Sequence, residues 1–567
     1  MPDSESCKES ILSEDYMDFI SNWRRNNFVD SISMQDSVCR TFLGGNFHGI
    51  YLPRIEGGRR ALNQFPYFSV PKCYTLLDVE AMNQAGIIQI QNYPNLQLMG
   101  DGVIMGIIDT GVDYTNQIFR NLDGSTRIIN IWDQTVQDGN PPDNFNYGTE
   151  YTKEQIDEAL KSENPFDIVP STDTNGHGNF VASLACGGAD VENRFVGAAP
   201  ESEIAVVKLK EAKQYLREFY FVDADAACYQ ENDIMAAVHY LVEVSMMEMK
   251  PLVICLSMGT NMGGHDGKSP LSELLEGLSN TSGVVVALGT GNEADKRHHY
   301  LGQLSTEIQQ EEIEVRVGNN TRGFTMELWT EIPNIFEVTI VSPTGERVGR
   351  VPVRQGDGFF TFVFEQTDVY VLSRILVEGT SSELISLQFD RPAAGIWKVI
   401  VEAVQLGSGR FHVWLPVQEF LTGEVYFLRS NPDYTITEPG NTVSAITSGY
   451  YNGADNSIAI SSGRGYTRGE RIKPDFAAPG INVTGLNARG QFTARSGSSI
   501  ATAIAAGAGA LMLEWLVVRR RAFVDTVQIK NLLILGTSRR PDLTYPNREW
   551  GYGTLDLYRT FEEIRRF

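Results

Sequence analysis

The chain has 567 residues, 42% of them apolar and 21% charged, a globular balance with material for three or four units at ~150 residues each. Its 71 acidic residues outnumber 47 basic ones for a net charge of −24, which argues against nucleic acid or an anionic membrane surface as partner, since phosphates demand a basic face. No run reaches the ~20 uninterrupted apolar residues of a membrane span, so no membrane partner is expected.

The start, MPDSESCKESILSEDYMDF, is acidic and polar and lacks the basic start and apolar centre of a secretory signal. Synthesis into the cytoplasm is the expectation. The six cysteines (Cys7, Cys39, Cys73, Cys186, Cys228, Cys255) are scattered, several in apolar runs, and read as reduced core residues. Residues 1–75 form a small α/β unit: a helical SEDYMDFISNWRR, a strand FHGIYLP, a helix EGGRRALNQF, then the extended PYFSVPKCYTLL.

Over 76–305 the chain alternates short apolar runs with helices. GVIMGIID, EIAVVKLK, LVICLSMG and GVVVALGTGN read as parallel strands buried on both faces. DIMAAVHYLVEVSMME and SPLSELLEGLSN read as the covering helices. This is an α/β fold with a parallel sheet, in which functional groups gather at the carboxyl ends of the strands.

Over 306–420 the period drops to two. Ile313, Val315 and Val317 alternate with polar residues, as do Phe336, Val338 and Ile340; Phe360, Phe362 and Phe364; Trp397, Val399 and Val401; and Phe411, Val413 and Leu415. Strands of this kind without intervening helices predict an inserted antiparallel β domain. Over 421–567 the α/β pattern returns, with RIKPDFAAPG as a loop and SSIATAIAAGAGALMLEWLVV as a buried helix.

Four positions carry candidate chemistry. Asp109 ends a strand, where a carboxylate can be aimed into a crevice; a turn or capping aspartate is the alternative. His177 sits between glycines at a helix start, and imidazole suits proton transfer near neutrality; a locally satisfied histidine is the alternative. Ser499 opens an Ala/Gly-rich helix whose dipole and N–H groups could favour an oxyanion, although serines there are commonly N-caps, a role open to Ser496 or Ser498. Asn292, in GTGNEAD, could donate a second hydrogen bond to that oxyanion or could simply form a turn.

Together these stretches resemble the subtilase family, the subtilisin-like serine proteases. IIDTGVDY resembles its aspartate motif, NGHGNFVA its histidine motif and SGSSIATAIAAGAGALM its serine motif, in the order Asp, His, Ser. YPNREWGYGTLDLYRTFE is similar to its closing segment. The wording of AGIIQIQNYPNLQLMGDGVIMGIIDTGVDY, the inserted β unit (a jelly roll in that group) and the missing signal are similar to the clostridial spore-germination proteases and their gut-bacterial relatives. The resemblance implies a catalytic triad of Asp109, His177 and Ser499, with Asn292 at the oxyanion and no cofactor required. Structural calcium is common in the family, but no residue set here places one, and a metal peptidase finds no HExxH among the seven histidines. The resemblance further implies a polypeptide substrate, added as a strand against Ser257, Met258 and Gly259, with Gly289, Thr290 and Gly291 on the opposite wall. Residues 1–75 would be a propeptide, cut near 65–80 and bound as a partner. A cytoplasmic or spore-associated bacterial protein is expected.

The sequence departs from the family at Asn179, where threonine usually follows His-Gly, at Phe180, at Ser498, and at Ala503–Ile504 in place of Pro-His. None removes an atom the mechanism needs. The competing expectations are a catalytically silent subtilase-fold sensor, and a binding protein whose function lies in the β unit, where Trp329, Trp397 and Trp414 could face a sugar or could be core.

Overall fold

The computed structural model describes residues 4–22, 38–54, 62, 65–76, 83–351 and 356–566. A nine-stranded sheet forms its centre. Strands Ile446–Asn452, Val284–Gly289, Leu252–Leu256, Ile104–Asp109, Glu203–Lys208 and Ile128–Asp133 lie side by side and parallel, with Phe476–Pro479 parallel to Ile446–Asn452. The central four are buried along most or all of their length, which is why no alternation marks them. One face is covered by helices His177–Cys186 and Ser498–Leu513, the other by Glu231–Glu248 and Pro270–Ser279. The helix Ser498–Leu513 is buried at every residue, and its small side chains let it press onto the sheet: a Cβ on Gly509 would stand 2.8 Å from Val285. The segment Ser498–Arg519 is long and apolar enough to cross a membrane, yet 89% of its apolar window is buried inside the protein.

Two antiparallel sheets run from His299 to Phe427, beginning earlier and ending later than the 306–420 predicted from alternation. One has six strands and the other five. Between them lie Ile313, Val315, Val317, Phe336, Val338, Ile340, Phe362, Trp397, Val399, Val401, Phe411, Val413 and Leu415. Phe364 was expected among them, but it lies past the end of strand Gly356–Phe362 in the turn and is 82% exposed. Trp329, Trp397 and Trp414 are all fully buried, so none offers a face to a sugar.

Ahead of these lies a three-stranded antiparallel sheet with Phe47–Pro53 between Tyr16–Asn22 and Cys39–Gly44, and a helix Ser4–Leu12. The helix predicted over SEDYMDFISNWRR is instead the strand Tyr16–Asn22. Both its faces are buried, Ile20 toward helix Glu231–Glu248 and Met17 and Phe19 toward the segment around Tyr215, so neither period stands out. Most of EGGRRALNQF lies outside the described residues. Cys7 and Cys39 form a disulfide joining the helix to the sheet, contrary to the expectation of reduced thiols, whereas Cys73, Cys186, Cys228 and Cys255 are free and buried. RIKPDFAAPG is likewise only partly loop, since Phe476–Pro479 pairs with Ser448–Tyr451.

Candidate active site

Three segments that are distant in sequence meet at the carboxyl end of the central sheet. Strand Ile104–Asp109 delivers Asp109, the first turn of helix His177–Cys186 delivers His177, and the first turn of helix Ser498–Leu513 delivers Ser499. His177 Nδ1 lies 2.8 Å from Asp109 Oδ1 and 3.0 Å from Oδ2. His177 Nε2 lies 3.0 Å from Ser499 Oγ. All three side chains are buried.

The carboxylate is fixed by more than the imidazole. Asp109 Oδ2 accepts from Ser257 Oγ at 3.0 Å, and Oδ1 accepts from the Thr110 backbone N–H at 2.7 Å. With Nδ1–H donating to the Asp109 carboxylate, the imidazole is held in the tautomer whose Nε2 can take a proton from Ser499.

The sequence reading missed Asp173. Its Oδ1 accepts from Thr110 Oγ1 at 2.9 Å and from the N–H groups of Asn175 and Gly176, while Oδ2 accepts from Asn179 N–H at 2.8 Å. Thr110 Oγ1 in turn accepts from Gly178 N–H. One buried carboxylate therefore ties the Asp109 loop to the first turn of the His177 helix. Burial raises its pKa, against the hydrogen bonds from Asn179 and Gly176. The signal available in the sequence was an aspartate four residues ahead of His177 in a polar turn. Gly176, at φ 85°, starts that helix in the left-handed region. Gly178 lies so close to the Asp loop that a Cβ there would stand 2.1 Å from Gly111 O.

Asn179 makes use of the amide that replaces the family's threonine: Oδ1 accepts from Asp113 N–H at 2.6 Å, and Nδ2 reaches Asn487 O at 3.4 Å, in the hairpin ahead of Ser499. Phe180 packs under the same hairpin at Gly485.

Asn292 follows strand Val284–Gly289. Its Oδ1 accepts from Ser498 N–H at 3.1 Å, and Ser498 Oγ accepts from Gly291 N–H at 3.1 Å. These bonds lock the loop onto helix Ser498–Leu513 and set the amide orientation, with Oδ1 turned to Ser498. Ser498, not Ser499, is the serine engaged with its surroundings in this way. The carbonyls of Thr290 and Gly291 accept from Thr437 and Gly463, which fastens the Gly289–Gly291 segment to the following loops. Next along, Glu293 Oε2 accepts from Asn261 Nδ2 at 2.9 Å and contacts His298 Nδ1 at 2.7 Å, bracing the loop beyond Gly259.

Beside Asp109, His177 and Ser499, Cys73–Leu76 lies between two short strands. On one side Thr75 pairs antiparallel with Gly259 and Leu76 with Met258; on the other, Cys73 pairs with Gln230 and Tyr74 with Tyr229. Just upstream, Tyr67 donates to Glu327 Oε2 of the inserted sheets at 2.6 Å, and the Lys72 ammonium donates to Tyr67 O and Val70 O. Among the described residues no group of three His, Cys, Asp or Glu side chains is arranged to hold a metal ion.

A parallel α/β sheet that brings an aspartate, a histidine and a helix-start serine into one hydrogen-bonded line belongs to the subtilisin-like class. Residues 100–316 and 423–553 match the subtilase family (peptidase S8), and the chain belongs to that family. The CspB protease of Clostridium perfringens superposes with a TM-score of 0.76 at 30% identity, covering 86% of this chain and 99% of that one. The mouse membrane-bound transcription factor site-1 protease is 34% identical over 139 residues, 24% of this chain and 13% of that protein. The PII-type proteinase of Lacticaseibacillus paracasei is 21% identical over 556 residues, 88% of this chain and 28% of that protein. The chain thus spans only a minor part of these two curated relatives.

Proposed function

We propose that the protein is a serine endopeptidase whose triad is Asp109, His177 and Ser499, and that its own N-terminal segment is its first substrate. The observation that carries this reading is the unbroken line from Asp109 through His177 to Ser499, with contacts of 2.8 and 3.0 Å. Ser499 Oγ attacks the scissile carbonyl while His177 Nε2 takes its proton. Asp109 holds the tautomer and stabilises the imidazolium, and Ser257 and Thr110 hold Asp109. The oxyanion is met by Asn292 Nδ2 and the Ser499 backbone N–H, at the positive end of the helix dipole. His177 then protonates the leaving amine, and water repeats the cycle on the acyl-enzyme.

The substrate enters as a strand along Ser257–Gly259, where main-chain hydrogen bonds supply affinity without demanding a particular sequence. Cys73–Leu76 occupies this place in a product-like register. A strand bound in this way ahead of the scissile bond puts the cut shortly after Leu76, inside the 65–80 window, and the N-terminal segment acts as propeptide. Hydrolysis of denatured casein tests the reading. Ser499→Ala should lose several orders of magnitude of activity, as triad removal does in subtilisin. A variant keeping more than about a tenth of the activity would show that Ser499 is not the nucleophile.

A further inference from the structure

The helix that begins at Ser499's turn does not stop at Leu513. It runs on as the π-helical segment Glu514–Arg519, a geometry that recurs at functional sites. This far end, with helix Leu557–Ile564 and the segment Ile87–Leu96, encloses a cavity of about 320 Å³. That volume is within the range of small-molecule sites. Its walls are aromatic: Trp515 meets Phe561 edge-on with centroids 4.9 Å apart, and Tyr93 faces Tyr558 at 6.3 Å.

The rim carries the charge. Arg520 and Arg565 both line the cavity and are exposed. The Arg520 guanidinium lies 4.0 Å over the Trp515 ring. Neighbouring arginines are committed elsewhere, Arg519 to Glu514, and Arg559 and Arg566 to Glu563. Arg520 and Arg565 have no carboxylate partner among the described residues. Glu562, the carboxylate among the lining residues, lies close enough to Tyr558 that its charge raises the pKa of that hydroxyl. Two unpaired cations over an aromatic hollow form a local exception in a chain of net charge −24.

We infer that this cavity is a binding site, separate from the catalytic cleft, for a small organic monoanion with an aromatic body and a carboxylate or sulfonate head. The apolar body gains by displacing water that finds few polar partners among these rings. The head lies between the two guanidiniums, whose planar forks suit such oxyanions. A nucleotide is a poor fit, because the described residues that line the cavity include no glycine whose backbone could cradle a phosphate chain.

The test uses the full chain carrying Ser499→Ala, so that self-cutting does not interfere. The probe is 8-anilinonaphthalene-1-sulfonate, and its uncharged counterpart N-phenyl-1-naphthylamine is the control. One saturable site is expected, with the neutral compound at least tenfold weaker. Because both arginines are exposed, Arg520→Glu with Arg565→Glu should leave the fold intact and weaken the sulfonate at least tenfold, with little effect on the neutral compound. Equal affinity for the two compounds, undiminished binding by the double variant, or probe displacement as the chain dimerises through this face would each overturn the assignment.

Discussion

Leu76 lies opposite Met258, antiparallel, one residue beyond Ser257, whose hydroxyl donates to Asp109. The chain's own N-terminal segment thus holds the position proposed for substrate. The wild-type protein should cut itself within the few residues after Leu76, and Ser499→Ala should stay full length. Intact-mass measurement of both after expression checks this. A wild-type chain that is uncut yet active would exclude obligatory self-processing.

The N-terminal sheet is tied down by a buried charge. Asp18 accepts from Lys213 Nζ at 2.5 Å, Gln230 Nε2 at 2.6 Å and Asn232 Nδ2 at 3.2 Å, and both ions are almost wholly buried. Asp18→Ala leaves the Lys213 ammonium buried without its counter-ion, a change that costs about 3–5 kcal/mol. Thermal unfolding of the uncut Ser499→Ala chain should show the transition of the N-terminal unit moved down by several degrees. An unmoved transition would mean that Asp18 does not hold this interface.

Gly178→Ala should damage catalysis more than its single added carbon suggests. The new Cβ would stand 2.1 Å from Gly111 O, so the His177 helix must move off the Asp109 loop. A displacement on the order of 1 Å at a catalytic contact can cost ~10²-fold in rate. The fall should appear in kcat, and an unchanged kcat would contradict the close packing described here.

Acid should loosen the inserted sheets. His265 stacks on Trp414 with centroids 4.0 Å apart, and His299 Nε2 lies 3.0 Å from His412 Nδ1 on the same indole's other neighbours. Burial pushes His265 down to about 4, outweighing its contacts with Ile436 O and Asn261 O, and pushes His299 to about 3 and His412 well below the usual range. Arg410 and Arg468 add repulsion, while the acids nearby are already paired, Asp266 and Glu331 with Arg468 and Glu470 with Arg410. A histidine lowered when folded takes up its proton on unfolding. Its stability contribution is complete above pH ~6.5 and falls as pH drops toward 4. For His265 alone the loss is roughly 3 kcal/mol. Urea unfolding of the Ser499→Ala chain at a series of pH values should show this decline. His299→Gln should flatten it by about one proton, and a slope left unchanged would argue against the cluster.

Much of the site was legible because its carriers are locally unambiguous. The runs ending at Asp109 and Gly289 are apolar throughout, as strands covered on both faces must be, and the Ala/Gly helix after Ser499 has no competing pattern. What escaped depends on contacts made far along the chain. Asp18 gave DYMDFISN a surface-helix character, yet it is satisfied by Lys213, Gln230 and Asn232 almost 200 residues away or more. Cys7 and Cys39 meet only once helix and sheet dock. Asp173 looked like part of a turn, because three of its four donors, Asn175, Gly176 and Asn179, lie within six residues of it, and only Thr110 on the Asp109 loop ties it to the site. FAAP, bounded by prolines, is a strand only through its neighbour Ser448–Tyr451.

The central claim is that Ser499 is an activated nucleophile. Its most direct test is incubation of the purified protein with a fluorophosphonate, followed by peptide mapping of the adduct. The account predicts one covalent adduct per chain on Ser499, abolished by His177→Ala even though the serine remains. A wild-type chain, freed of its N-terminal segment, that forms no adduct on Ser499 would contradict it.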